Sequence, residues 1–80
     1  MSEHQLDARR LLCPMPVIRV QEAIEKLDAG DILQVSCTDP GALQDVPAWC
    51  RVHGHRILSA AQTGDEVHIR IEVIKQDTPA

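Results

Sequence analysis

Hydrophobic and polar positions alternate with different periods along the 80-residue chain, and each change of period marks an element. The stretch His4–Arg9 alternates weakly, with Leu6 and Ala8 on one side, and reads as a short strand. From Val17 onward the spacing changes to three and four: Val17, Val20, Ala23, Ile24 and Leu27 share a face, while Arg19, Glu22, Glu25 and Lys26 share the opposite one. That is an amphipathic helix, and Asp28-Ala29-Gly30-Asp31 predicts its end, with Gly30 as a left-handed stop. Ile32–Cys37 is a second strand with Leu33, Val35 and Cys37 on one face, which makes Cys37 a core-packing residue. Asp39 is placed to cap a second helix whose first residue is Pro40 and whose apolar side is Leu43, Val46 and Trp49 or Cys50. Pro47 falls inside that helix and is expected to kink or split it.

Arg51–His55 reads as a turn, Arg56–Ala61 as a third strand, and Thr63-Gly64-Asp65 as a hairpin. Val67, Ile69, Ile71 and Val73 then alternate with His68, Arg70 and Glu72, the clearest strand pattern in the chain, with one wet face. Gln76–Ala80 reads as a frayed tail. Strand, helix, strand, helix, strand, strand predicts an α+β domain, two helices on one face of a four-stranded mixed sheet. We expect one domain over 1–80 with an ordered core of about 4–75.

Composition narrows the function. With 44% apolar residues and Trp49 as the single aromatic, the core is aliphatic and leaves little room for an enclosed substrate cavity. The net charge of −4 comes from 12 acidic against 8 basic residues, the basic ones scattered, so direct nucleic-acid binding is not expected. No signal peptide and no membrane-spanning apolar run are found, which predicts a cytoplasmic protein without membrane contact. No cofactor motif is present. Three cysteines, Cys13, Cys37 and Cys50, argue for at least one free thiol rather than a disulfide framework.

The chemistry centres on Leu12-Cys13-Pro14-Met15-Pro16-Val17. With Cys13 as the cap of the first helix, Pro14, Met15 and Pro16 occupy its first three positions. Both prolines then fall where an amide has no partner inside the helix anyway. A sulfur at that place sits at the positive end of the helix dipole, where cysteine pKa values of about 3.5 to 7.5 occur. Pro16 has no amide hydrogen, so Met15 remains as the expected donor to the cap, and the thiolate is favoured but not heavily clamped. It therefore keeps its nucleophilicity. Arg9 and Arg10 push in the same direction if they lie near Cys13. The residues alone leave two readings open, a reactive thiolate or a small buried side chain, just as Arg9 and Arg10 are either functional or plain surface charge.

Two further arrangements compete. Cys50, His53 and His55 form a Cys-x-x-His-x-His run that, with Cys13 or Cys37, supplies four potential zinc ligands, although no second paired cluster supports a metal site. Alternatively, Cys13 pairs reversibly with Cys50 in a redox or regulatory interaction module, which needs Cα atoms within about 7 Å. Packing against the core is the simpler role for Cys50.

Leu6-Asp7-Ala8, the Cys-Pro-x-Pro run at Cys13–Pro16, Thr38-Asp39-Pro40 and Trp49-Cys50 together resemble the TusA (SirA-like) sulfur-carrier family over about Leu6 to Val73. The resemblance implies a β-α-β-α-β-β two-layer sandwich with sheet order 1-2-4-3, like the C-terminal domain of a translation initiation factor. It implies a sulfurtransferase in which Cys13 takes a persulfide sulfur from a cysteine desulfurase or rhodanese-type donor and relays it to an acceptor protein. The pathway would be tRNA thiolation, molybdenum cofactor formation or sulfur oxidation. Asp7 is expected to shape the turn before Cys13, and Arg9 or Arg10 to bias sulfur charge and docking. Relatives often have Gly where this chain has Arg10, so the turn is expected to need less unusual backbone here. A domain of this kind needs no partner to fold and is expected to be a monomer, with an uncovered sheet face or edge available for contacts.

Overall fold

The computed structural model describes residues 2–12 and 14–75; the expected frayed tail, Gln76–Ala80, lies outside the described residues. Alternation and helical spacing resolve into β1 (Glu3–Ala8), α1 (Met15–Glu25), β2 (Ile32–Cys37), α2 (Ala42–His53), β3 (Arg56–Thr63) and β4 (Glu66–Glu72). The sheet order is β1-β2-β4-β3. β1 runs parallel to β2, with Asp7 opposite Ser36 and Ala8 opposite Cys37, and β4 is antiparallel to both β2 and β3. The mixed four-stranded sheet with two helices is the architecture the sequence predicts.

One face of the sheet meets the helices. Leu33, Val35 and Cys37 from β2 and Val67, Ile69 and Ile71 from β4 are buried against Val20 and Ile24 of α1 and Ala42, Val46 and Cys50 of α2. Each fully buried aliphatic side chain contributes on the order of 1.5–3 kcal/mol relative to exposure. Central strands whose alternate residues all join this layer cannot slip by one residue without turning the layer to water. On α1 the fully buried stripe is Pro16, Val20 and Ile24, with Val17 and Ala23 packed at its edge. Leu27 joins the core from just beyond the helix.

Several boundaries differ from the sequence expectation. α1 ends with Lys26 in ordinary helical geometry. Gly30 does take a left-handed conformation (φ 92°), but four residues later. There its N–H donates to the Val73 carbonyl, 2.8 Å, and turns the chain into β2. Asp39 accepts from the Gly41 amide, 3.0 Å, and thereby caps a tight lead-in turn, the regular helix starting only at Ala42. In that lead-in, Leu43 donates to Pro40 and Gln44 to Gly41, a 3₁₀ winding. α2 then runs unbroken through Pro47, which costs it the one bond to the Leu43 carbonyl without splitting it.

α2 also continues through Arg51, Val52 and His53, residues expected to form a turn, until Gly54 (φ 82°) stops it. His55 donates to Cys50 and Gly54 to Arg51, the paired bonds of a Schellman stop. β3 reaches Thr63, two residues further than expected, because the Gly64-Asp65 turn sets Thr63 opposite Glu66. A bulge between Ile57 and Ser59 leaves Leu58 out of the pairing.

Candidate functional site

The segment between β1 and α1 is fixed on both sides of position 13, while Cys13 itself lies outside the described residues. Asp7, near the end of β1, accepts twice from one neighbour through Oδ1: from the Arg9 amide at 3.1 Å and from Arg9 Nε at 2.9 Å. Its Oδ2 accepts from Arg9 Nη2 at 3.1 Å. The Arg9 side chain, then its amide, hold the Asp7 carboxyl down to about 2, with a smaller charge effect from Arg10. The carboxylate raises the Arg9 pKa in return. Arg9 Nη1 also lies 3.8 Å from Glu66 on β4.

Arg10 follows with φ 66°, the one non-glycine residue with positive φ among the described residues. The expectation that arginine in place of glycine relaxes this turn is therefore overturned: the backbone keeps the left-handed conformation, and the side chain bears its cost of about 1–2 kcal/mol. The Arg10 amide donates to Thr38 Oγ1, 2.8 Å, across the loop that leaves β2.

On the far side of position 13, Pro14 (φ −95°, ψ 14°) caps α1 and its carbonyl accepts from Ile18, 3.2 Å. This corrects the expected frame by one residue. Pro14 is the cap, Met15 the first helical residue and Pro16 the second; proline suits either frame because neither the cap nor the first turn needs its missing amide. The Met15 amide donates to the Leu12 carbonyl at 2.8 Å; the bond expected from it to Cys13 lies outside the described residues. The first turn of α1 contains no acidic residue, so the positive end of its dipole is not offset from within the helix. Around it, Pro14 is exposed, as are Leu12 (78%) and Ile18 (40%), whereas Pro16 is buried.

The structure thus brings Asp7, Arg9, Arg10, Pro14, Met15 and Pro16 into one segment and adds Thr38, which the sequence offered only within the Thr38-Asp39-Pro40 run. Exposed Leu12 and Ile18 were also not anticipated; Ile18 stands one turn above Pro14 and outside the buried stripe.

The other two cysteines differ in kind. Cys37 and Cys50 are fully buried, and burial pushes their thiols up, to about 11 and about 12, with Asp39 adding to the effect at Cys37. Neither is a ready nucleophile at neutral pH. For Cys50 this weighs against reversible pairing with Cys13. The Cys50-x-x-His53-x-His55 run also does not converge. While Cys50 points into the core, His53 stacks on Trp49 with ring centres 4.4 Å apart, and His55 stacks on it at 5.6 Å. His55 Nδ1 accepts from the Ile74 amide, 3.1 Å. Among the described residues no three His, Cys, Asp or Glu side chains are grouped to hold a metal ion, and no helix is long and apolar enough to cross a membrane.

Known proteins are similar to this chain. YrkI of Bacillus subtilis, which carries a sulfur-carrier name, is 44% identical over 80% of this chain and 85% of its own. The sulfur carrier protein TusA of Allochromatium vinosum is 30% identical over 88% of this chain and 92% of its own. The crystal structure of a SirA-like protein from Desulfitobacterium hafniense superposes with a TM-score of 0.77, covering 90% of this chain and 99% of that one. At 22% identity it establishes the likeness of fold. The model of the family described as sulfurtransferase TusA matches residues 4–73, and the chain belongs to that family of sulfur carriers.

Proposed function

We propose that Cys13 is the carrier residue, taking sulfur from a donor persulfide and passing it to a second protein. In the loading step the Cys13 thiolate attacks the outer sulfur of a donor cysteine persulfide. A new S–S bond forms, the donor's S–S bond breaks, and the donor leaves as a thiolate with the electron pair. In unloading, an acceptor thiolate attacks the outer sulfur and Cys13 leaves as the thiolate. The sum is neither oxidation nor reduction, so no cofactor is called for, and each step is thiol–disulfide exchange. No general base is needed where the attacking group is already a thiolate.

The observation that carries this reading is the start of α1. In sequence, Cys13 directly precedes Pro14, the cap of a helix whose first turn holds no acid, and Leu12, Pro14 and Ile18 near that helix start are exposed. An anion is favoured at such a helix start without an enclosing cavity. Arg9 and Arg10 add positive charge upstream, and Asp7, clamped by Arg9, shapes the turn. The donor is a cysteine desulfurase or rhodanese-type protein and the acceptor a protein of tRNA thiolation, molybdenum cofactor formation or sulfur oxidation. Given its acidic balance, the chain meets tRNA only through a relay protein. Two reduced buried cysteines suit the cytoplasm.

Mass spectrometry after incubation with a desulfurase and cysteine tests the assignment. The wild type is expected to gain one sulfur on Cys13, and Cys13→Ser to gain none while keeping its thermal melt. A sulfur adduct on Cys13→Ser, or one carried by Cys37 or Cys50 in the wild type, overturns it.

A further inference from the structure

We propose that Thr38 is a positioning residue for sulfur transfer, its hydroxyl holding Arg10 in the left-handed conformation that directs the chain into Cys13; this rests on Cys13 being the carrier.

A non-glycine residue stays in that conformation only where its surroundings over-determine it. At Arg10 they do so through successive amides. The Arg9 N–H is taken by Asp7 from within the segment, and the Arg10 N–H by Thr38 Oγ1 from a loop 28 residues away. The parallel register explains how Thr38 reaches it. Asp7 lies opposite Ser36 and Ala8 opposite Cys37, so Arg9-Arg10 and Thr38 leave the sheet side by side. Thr38 is itself firmly mounted: Cys37 before it is fully buried, and Asp39 after it closes a turn on the Gly41 amide. The fixed loop at the end of β2 thus sets the backbone direction three residues ahead of the carrier cysteine.

Without the hydroxyl, Arg10 is free to return to an ordinary conformation, and the segment leading to position 13 turns elsewhere. Misplacing a reacting group by about 1 Å costs up to about a hundredfold in rate, and a partial shift of the population costs less. We expect Thr38→Val, which keeps size and branching but loses the acceptor, to load sulfur about tenfold more slowly. Thr38→Ser restores the acceptor and should return the rate to within about twofold. Because Arg10→Gly removes the Arg10 charge as well as the strain, the comparison is made within the glycine background: there Thr38→Val should slow loading by less than about twofold, because glycine holds a positive φ without help.

The test measures sulfur loading by mass spectrometry and, independently, the pH profile of Cys13 alkylation by iodoacetamide, with Trp49 fluorescence and thermal melts reporting the fold. A slow Thr38→Val that serine rescues and that shows no such slowing in the Arg10→Gly background, with cooperative melts and native Trp49 fluorescence throughout, supports the inference. Equal rates for Thr38→Val and wild type, failure of serine to rescue, or the same slowing by Thr38→Val in the Arg10→Gly background overturns it. If the wild type itself takes up no sulfur on Cys13, the carrier reading is what fails. Alkylation then judges Thr38, and an unchanged profile in Thr38→Val overturns its positioning role.

Discussion

The two ends of α1 are both tied to irregular chain, and they are tied by opposite means. At the N-terminal end the ties are an ionised carboxylate, Asp7, and a hydroxyl, Thr38, on an exposed segment that forces Arg10 to φ 66°. At the C-terminal end, Lys75 Nζ donates to the carbonyls of Glu25 and Leu27. Val73 and the Gly30-Asp31 turn exchange bonds, and Ile74 donates to His55. Left-handed positions at this end, at Gly30 and in the Gly54 stop of neighbouring α2, are glycines. Among the described residues, strain is thus confined to the end next to Cys13, the proposed carrier, which is where strained backbone tends to have a use. The ends also answer acid differently, since Asp7 binds its partner as an anion and His55 accepts its bond as a neutral ring.

The largest effect separating them is expected at His55. Its pKa is lowered by burial first, then by the charges of His53 and Lys75; Glu25 also borders this groove. A histidine whose folded pKa lies below its unfolded value of 6.5 takes up its proton more readily when unfolded. Its contribution is therefore fully present above about pH 6.5 and is lost as the pH falls below that. A proton on Nδ1 also removes the acceptor for Ile74. His55→Ala should lower stability by about 1–2 kcal/mol near neutrality, the cost of an amide left without its partner. The gap to wild type should shrink as the pH falls below about 6.5 and the wild type loses the same bond. Urea melts at several pH values check this; a gap that stays constant would show that the ring supports the tail by packing on Trp49 alone.

Much of the frame was legible because burial imposes period on sequence: β2 and β4 alternate residue by residue, and α1 keeps its three-and-four spacing. Where side chains are exposed the period vanishes. β3 therefore reads two residues short, and the exposed last turn of α2, Arg51-Val52-His53, reads as a turn. The start of α1 shifted by one because proline tolerates both frames. Arg10 was hidden for a different reason. Its side chain argues against a positive φ, and what enforces that φ is Thr38, whose nearness comes from the parallel register of β1 and β2 and not from any local pattern. The chemistry proposed for the site was read from Cys13-Pro14-Met15-Pro16, while its support is distributed over a second loop.

A smaller effect of opposite sign is expected at Arg10. Arg10→Gly removes the left-handed penalty of about 1–2 kcal/mol and gives part of it back through the freer unfolded chain. The net gain should be up to about 1 kcal/mol, roughly 4–8 °C in Tm for a domain of this size. Arg10→Ala keeps the penalty and should show no such gain. Equal melting temperatures for the two variants would mean that the N-terminal end stores no strain, and the contrast with the glycines at the other end would lose its meaning.

The smallest effect belongs to Asp7 and sharpens the acid comparison. Its folded pKa is lowered from 3.8 to about 2 by Arg9, so its contribution is intact above about pH 4 and is lost only as the pH falls through about 2. Asp7→Asn keeps an oxygen for the Arg9 amide and removes the charge. Because the pair is exposed, with half or more of each side chain open to water or nearly so, the change near neutrality should be slight and should fade further in salt. The readout is the Asp7 carboxyl carbon in an NMR titration of the wild type. A midpoint near 2 supports the clamp, and one near 3.8 shows that Arg9 does not hold the carboxylate in solution. With the clamp in place, the acid limb of stability divides in two. The upper part, below about pH 6.5, shrinks in His55→Ala, and the lower part, below about pH 4, weakens in Asp7→Asn. As the pH is lowered, the C-terminal end of α1 therefore loosens before the N-terminal end does.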